Sequence, residues 1–151
     1  MIRVLIYTVP QGKARARPSR RGNFLKMYTP KNTVEFEKTI ALAYQSACRG
    51  NMRGRDVPIK LTATYYMPIP KSASKKLKAT MAGKWHTKKP DTSNITKSVE
   101  DALNRIAYDD DSQIAWLDVK KVYGEPPRLE LEFTELSERW NGNDTDESDA
   151  E

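Results

Sequence analysis

Cysteine and histidine each occur once in this 151-residue chain, as Cys48 and His86. A lone cysteine has no internal partner, so a disulfide framework is excluded; structural zinc and Cys–His nucleophilic catalysis have almost nothing to be built from. Any metal site must then use oxygen donors, the chemistry of magnesium or manganese. Long hydrophobic runs are also missing. The apolar opening from Ile2 to Val9 is interrupted by Arg3 and Thr8 and stopped by Pro10. It is too short for a signal sequence and far below the ~20 residues of a membrane span. The expectation is a soluble, cytoplasmic protein with no membrane partner and no organic cofactor.

Acidic residues are scarce in one half only. Met1 to Pro90 holds 20 basic residues and three acids, a net +17, whereas Asp91 to Glu151 holds six basic residues and 17 acids, a net −11. Such a split predicts a polyanion-binding surface, with carboxylates delivered to one place by the other half. With 38% hydrophobic residues the chain can fill one core. Asn141 to Glu151 has five acids, no base and no bulky apolar side chain. It is expected to be a disordered acidic tail behind a single domain of residues 1–140.

Ile2 to Val9 reads as a strand, and Gln11 to Lys31, with seven basic residues and no acid, as a loop. A helix is expected from Asn32, with Glu35 completing a capping box and Phe36, Ile40, Ala43, Tyr44 and Ala47 at helical spacing, ending near Arg49-Gly50. After a basic turn from Asn51 to Asp56, Ile59, Leu61, Ala63, Tyr65 and Met67 alternate with polar or aromatic neighbours as a half-buried strand requires. Ser72 to Met81 fits a short helix capped by Ser72 or Ser74, with Leu77 and Met81 inward and Gly83 as terminator, or a solvated lysine-rich loop. Capped by Thr92 or Ser93, a third helix places Ile95, Val99, Ala102, Leu103 and Ile106 on one face and Asn94, Lys97, Asp101 and Asn104 on the other. An acidic turn from Tyr108 to Asp111 leads to strands at Gln113 to Tyr123 and Arg128 to Leu136, joined by Gly124-Glu125-Pro126-Pro127.

Two constellations could carry chemistry. The first is Asp91, Ser93, Asn94, Lys97 and Asp101 along the third helix with Asp109, Asp110 and Asp111 beyond it. Its oxygens meet only if the chain folds back along the helix. Otherwise Asp91 is a helix-dipole partner and the acids are a polar turn. The second is Lys13, Arg15, Arg17, Arg20 and Arg21 with Phe24 and Tyr28 interleaved. Guanidinium forks suit phosphates and rings suit bases, so this stretch favours nucleic acid over membrane, or else is a disordered basic arm. Lys75, Lys76, Lys88 and Lys89 extend the cationic surface. His86 lies among lysines and is given no catalytic role.

The run Lys89-Pro90-Asp91-Thr92-Ser93-Asn94-Ile95-Thr96-Lys97, then Asp101-Ala102-Leu103, then Asp110-Asp111-Ser112-Gln113-Ile114, resembles the RusA-type Holliday-junction resolvases, whose pattern is Pro-Asp-x-Asp-Asn-Leu-x-Lys followed by Asp-Asp-x-Gln-Val. Lys13-Ala14-Arg15-Ala16-Arg17-Pro18 and Tyr28-Thr29-Pro30 are similar to the arm of phage-type members. The resemblance spans roughly Ile6 to Leu136. It implies a single α+β domain with a mixed sheet and packed helices, a homodimer, and Mg²⁺-dependent cleavage of four-way DNA junctions, with Mn²⁺ as a substitute. By position it implies Asp91 and Asp111 as metal-binding acids, Lys97 as the catalytic lysine, and Asn94 and Asp110 as their neighbours. Where the family has its second acid this chain has Ser93, which leaves that metal position with a neutral donor. The alternative to an active nuclease is a junction or single-strand DNA-binding protein that has lost cleavage through Ser93.

Overall fold

Ile59, Leu61, Ala63, Tyr65 and Met67 are all buried and alternate with half-buried neighbours, so one strand supplies the axis on which the molecule is built. The computed structural model describes residues 1–48, 54 and 56–142. In chain order the elements are β1 (Ile2–Ile6), β2 (Arg17–Arg21), β3 (Phe24–Tyr28), α1 (Lys31–Cys48), β4 (Ile59–Met67), α2 (Lys75–Met81), α3 (Thr92–Leu103), β5 (Ile114–Tyr123) and β6 (Arg128–Glu135). A short 3₁₀ turn, Asp111–Gln113, precedes β5. Four strands form a mixed sheet in the order β1-β6-β4-β5, with β4 and β5 parallel and the other pairs antiparallel. The α+β class and mixed sheet are as expected.

One face of the sheet carries the core. Val4, Ile6, Leu61, Tyr65, Leu129, Leu131 and Phe133 are buried together with Phe36, Ile40 and Tyr44 of α1 and Ile95, Val99 and Leu103 of α3. Tyr44 meets Phe133 edge to face, 5.5 Å between ring centroids. Each such side chain contributes about 1.5–3 kcal/mol on burial, and Phe133→Ala would cost about 3–5 kcal/mol. No helix among the described residues is long and apolar enough to cross a membrane.

Several local expectations are corrected. The stretch Gln11 to Lys31 is not all loop: β2 and β3 pair as a separate antiparallel hairpin around Gly22-Asn23, with Gly22 at φ 59°. Glycine at the first central position suits a two-residue turn that matches strand twist. Asn32 does not cap α1. The helix opens one residue earlier, and the Pro30 carbonyl accepts from the amides of Thr33 and Val34. At its far end Cys48 is buried while Ala47 is exposed. The expected helix end at Arg49-Gly50, most of the turn from Asn51 to Asp56, and the tail beyond residue 142 lie outside the described residues.

Ser74 caps α2 as one of the two alternatives, accepting from the Leu77 amide, and Gly83 follows at φ 81°. Leu77, however, is exposed, because the helix packs no buried residue. Asp91, not Thr92 or Ser93, holds the cap position of α3, in extended conformation after Pro90. Although β5 and β6 follow one another directly, β4 lies between them. Their connection passes over the end of β4, where the Gly124 amide donates to Met67. A Cβ on Gly124 would lie 2.5 Å from Tyr66 Cδ1, so only glycine fits that approach.

Candidate active site

The segment entering α3 is stitched to the free edge of β5. The Gly83 and His86 amides donate to Tyr123 and Lys121, and the Tyr123 amide donates to Lys84. Lys121, on the buried side of β5 where alternation calls for an apolar residue, turns its ammonium onto the carbonyls of Lys88 and Pro90, at 2.7 and 2.5 Å. These bonds fix the approach to Asp91, whose carbonyl accepts from the Asn94 and Ile95 amides. The Asp91 carboxylate makes no capping bond and is exposed, 3.0 Å from the Lys89 ammonium. Ser93 is exposed on the first turn.

After Leu103 the chain folds back through Arg105, at φ 62°, and Tyr108 anchors the return by donating its hydroxyl to the Glu100 carbonyl at 2.8 Å. Asp110 caps the 3₁₀ turn, accepting from the amide and hydroxyl of Ser112. These hydrogen bonds hold its carboxyl below the usual carboxylate range. Gln113 completes the turn. Its Oε1 accepts from the Asp109 and Asp110 amides at 2.8 and 3.1 Å, and its Nε2 donates to Gly54 and Val57 at 2.9 and 3.2 Å. The Asp-Asp-x-Gln segment is therefore a device for presenting Asp111, with Asp110 and Gln113 as its scaffold.

Asp111 so presented meets α3 at Lys97, Oδ2 to Nζ 3.1 Å. Lys97 also pairs with Asp101 at 3.3 Å, Asp101 with Lys13, and Lys13 with Glu37 of α1 at 2.8 Å. Hydrogen bonds donated to Asp111 and then to Asp101 raise the Lys97 pKa above the ordinary lysine value. Burial pushes Asp101 up, yet hydrogen bonds from Lys13 and Lys97 outweigh it and hold the carboxyl below its usual value. Burial likewise opposes the charge on Lys13, and the two carboxylates raise its pKa nonetheless.

Asn94 fastens the arm. Its carbonyl accepts from the Lys13 amide and its Nδ2 donates to the Lys13 carbonyl, each at 3.3 Å. A Cβ on Gly12 would lie 2.5 Å from that Nδ2, so glycine allows the close docking. An open cleft of about 590 Å³ results, lined by Gln11, Gly12, Asn32, Lys89, Asp91 and Asn94 among others.

The structure brings Lys97 and Asp111 together and puts Asp91 on the same helix, six residues or about 9 Å along its axis from Lys97. Of the cationic set, Arg17, Arg20 and Arg21 lie on the hairpin, and Arg15, Lys75, Lys76, Lys88 and Lys89 are exposed. Lys13 faces inward between two acids. Sequence reasoning gave no role to Lys121 or Gln113. A cation at an inward position of an alternating strand was the available signal for Lys121.

Residues 8–134 match the family described as Endodeoxyribonuclease RusA. The chain belongs to the RusA family. It is 37% identical over 141 residues to the uncharacterized protein YqaN of Bacillus subtilis (strain 168), covering 90% of this chain and 97% of that one. It is also 39% identical over 83 residues to the crossover junction endodeoxyribonuclease rusA of Lactococcus phage r1t, covering 54% of this chain and 58% of the phage protein. RusA membership links the chain to Holliday-junction nucleases and to magnesium, and the donor set is a test of that link. Asp91, Asp111 and Ser93 offer hard oxygen atoms, which suits a hard divalent cation in kind. Only two are anionic, and each carboxylate already lies within 3.1 Å of an ammonium. Among the described residues no group of three or more His, Cys, Asp or Glu is arranged to hold a metal.

Proposed function

We propose that the protein is a divalent-metal-dependent endonuclease that hydrolyses phosphodiester bonds at four-way DNA junctions, acting as a homodimer in recombination and repair. The observation that carries this reading is the convergence of Asp111 on Lys97, on the helix that Asp91 caps, in a RusA-family chain. Asp91 and Asp111 would hold Mg²⁺ or Mn²⁺, with the Ser93 hydroxyl as a weak third donor. A bound divalent cation would supply a water of lowered pKa and positive charge opposite the phosphate.

The protein's own groups do the rest. Lys97 stands fully charged beside Asp111, placed to contact a phosphate oxygen or the leaving oxygen. Asn94 and Gly12 bring the arm to the rim of the cleft, so that DNA lying against Asp91 also meets Arg15, Arg17 and Arg21. Lys89 and Lys97 neutralise the two carboxylates until DNA and cation arrive, which limits their repulsion of phosphate. Two active sites related by a two-fold axis would match two equivalent strands of a junction.

The test is incubation of the protein with a synthetic four-way junction and a matched linear duplex, with and without Mg²⁺ or Mn²⁺, followed by denaturing electrophoresis. Paired nicks in the junction alone, only with metal, are expected. Ser93 favours one second reading, a binding protein without cleavage. Junction binding in EDTA with no nicks in either metal selects it.

A further inference from the structure

The β2–β3 hairpin has two chemically different faces. Residues directly opposite in an antiparallel pair share a face, and neighbours along a strand alternate. The register pairs Arg17 with Tyr28, Ser19 with Lys26 and Arg21 with Phe24 on one face; Pro18 with Met27 and Arg20 with Leu25 lie on the other. The first face thus carries three cations and two aromatic rings and no acid, whereas the second is apolar except for Arg20. All ten residues are exposed, Phe24 by 81% and Tyr28 by 45%. Among the described residues, Arg17, Arg21 and Lys26 are paired with no carboxylate.

Cations along this face complement a polyanion, but phosphate alone gives an exposed Phe24 ring nothing to cover it. The missing partner must be both anionic and flat. In intact duplex the base faces are stacked on one another and closed to a side chain. They are open in single strands and where strands part. Phe24 and Tyr28 lie four residues apart on β3, about 14 Å, with Lys26 between them, an alternation of ring and charge that suits bases and phosphates in turn. We propose that the Arg17–Arg21/Phe24–Tyr28 face is a stacking platform for unpaired nucleotides, reading the opened bases of branched DNA while the opposite face, with Arg20, takes no part. This rests on the nucleic-acid binding of the proposed function and not on cleavage.

The experiment measures binding of the full chain, in EDTA, to a single-stranded oligonucleotide, a linear duplex and a four-way junction of related sequence across a salt series. Phe24→Ala and Tyr28→Ala should each weaken single-strand and junction binding about tenfold. Duplex affinity should stay within about twofold and the salt dependence unchanged, since no cation is removed. Leu25→Ser and Met27→Ser on the opposite face should leave all three probes unaffected. Equal losses on duplex, or full single-strand binding by Phe24→Ala/Tyr28→Ala, overturns the platform and leaves the DNA-binding reading standing. A loss on Leu25→Ser and Met27→Ser alone overturns the choice of face. Failure of the natural protein to bind any probe overturns the DNA-binding reading together with the platform.

Discussion

The β2–β3 hairpin and the helix that carries Asp91 and Lys97 are held in place by opposite means. The hairpin is a local structure, closed by its own ladder and a two-residue turn, and buries nothing. The site is assembled over long distances, from residue 13 of the arm, 37 of α1, 97 and 101 of α3 and 111 of the turn, on the polar side of α3, whose other face packs on the sheet. On the proposed function, the difference teaches that grip and cutting would be separable: local sequence would set one, tertiary packing the other.

The sharpest way to break this comparison is at the acids. Asp91→Asn and Asp111→Asn should each lower junction cleavage by about 10²–10³-fold or more, while binding in EDTA stays intact or tightens as repulsion of phosphate falls. Asp109→Asn should be much milder. Cleavage retained by either of the first two removes the proposed site, and binding lost in step with cleavage erases the separation. Next in size is Arg15, Arg17 and Arg21 changed together to Glu. Junction affinity should fall steeply and the salt slope by up to about 2.7, at about 0.9 per phosphate contact, with thermal stability unchanged. A flat salt dependence in the natural protein would mean the basic half has another task.

A smaller effect, and a gain, is expected from Ser93→Asp. Aspartate caps a helix end about as well as serine and adds an anionic oxygen beside Asp91, so less metal should be needed and cleavage should rise. The natural protein should work better in Mn²⁺ than in Mg²⁺. Full Mg²⁺ activity with no gain from Ser93→Asp would show that two acids suffice. Smallest is the charge chain beneath the site. Asp101→Asn should cost about 1 kcal/mol, a few degrees in Tm. Because the folded Asp101 pKa is below its usual 3.8, its contribution is present above that value and lost as pH falls through the lowered one. Lys13 and Lys97, raised above 10.5, contribute fully below that value and fade as pH rises through their raised ones. Thermal melts from acid to neutral pH should therefore be flatter for Asp101→Asn.

What could be read in the sequence followed from burial. β4 buries alternate residues, and its period of two gave its bounds; Ile95, Val99, Ala102 and Leu103 placed the inner face of α3. The hairpin escaped notice because all its residues face solvent, leaving no apolar period. The Gly22-Asn23 pair was the remaining signal. Cap positions were missed by a residue or two because Pro30 and Pro90 set the backbone entering both helices. Asp91, Lys97 and Asp111 stood out as candidates for chemistry, but the partners that Gln113 and Lys121 hold lie 31 to 59 residues away, and those partners no local pattern names.

The parallel pairing of β4 with β5 has a consequence for the order of events as the chain folds. Residues 68–113 are the crossover between these strands, and they contain Asp91, Lys97 and Asp111. Closing a segment of that length is an entropic cost met before the pairing of β5 returns anything, and the Lys121 anchor arrives only with β5. A chain still emerging from the ribosome without β5 therefore has its basic arm complete and its acids unplaced. On the proposed function, it would meet nucleic acid before it could cut any.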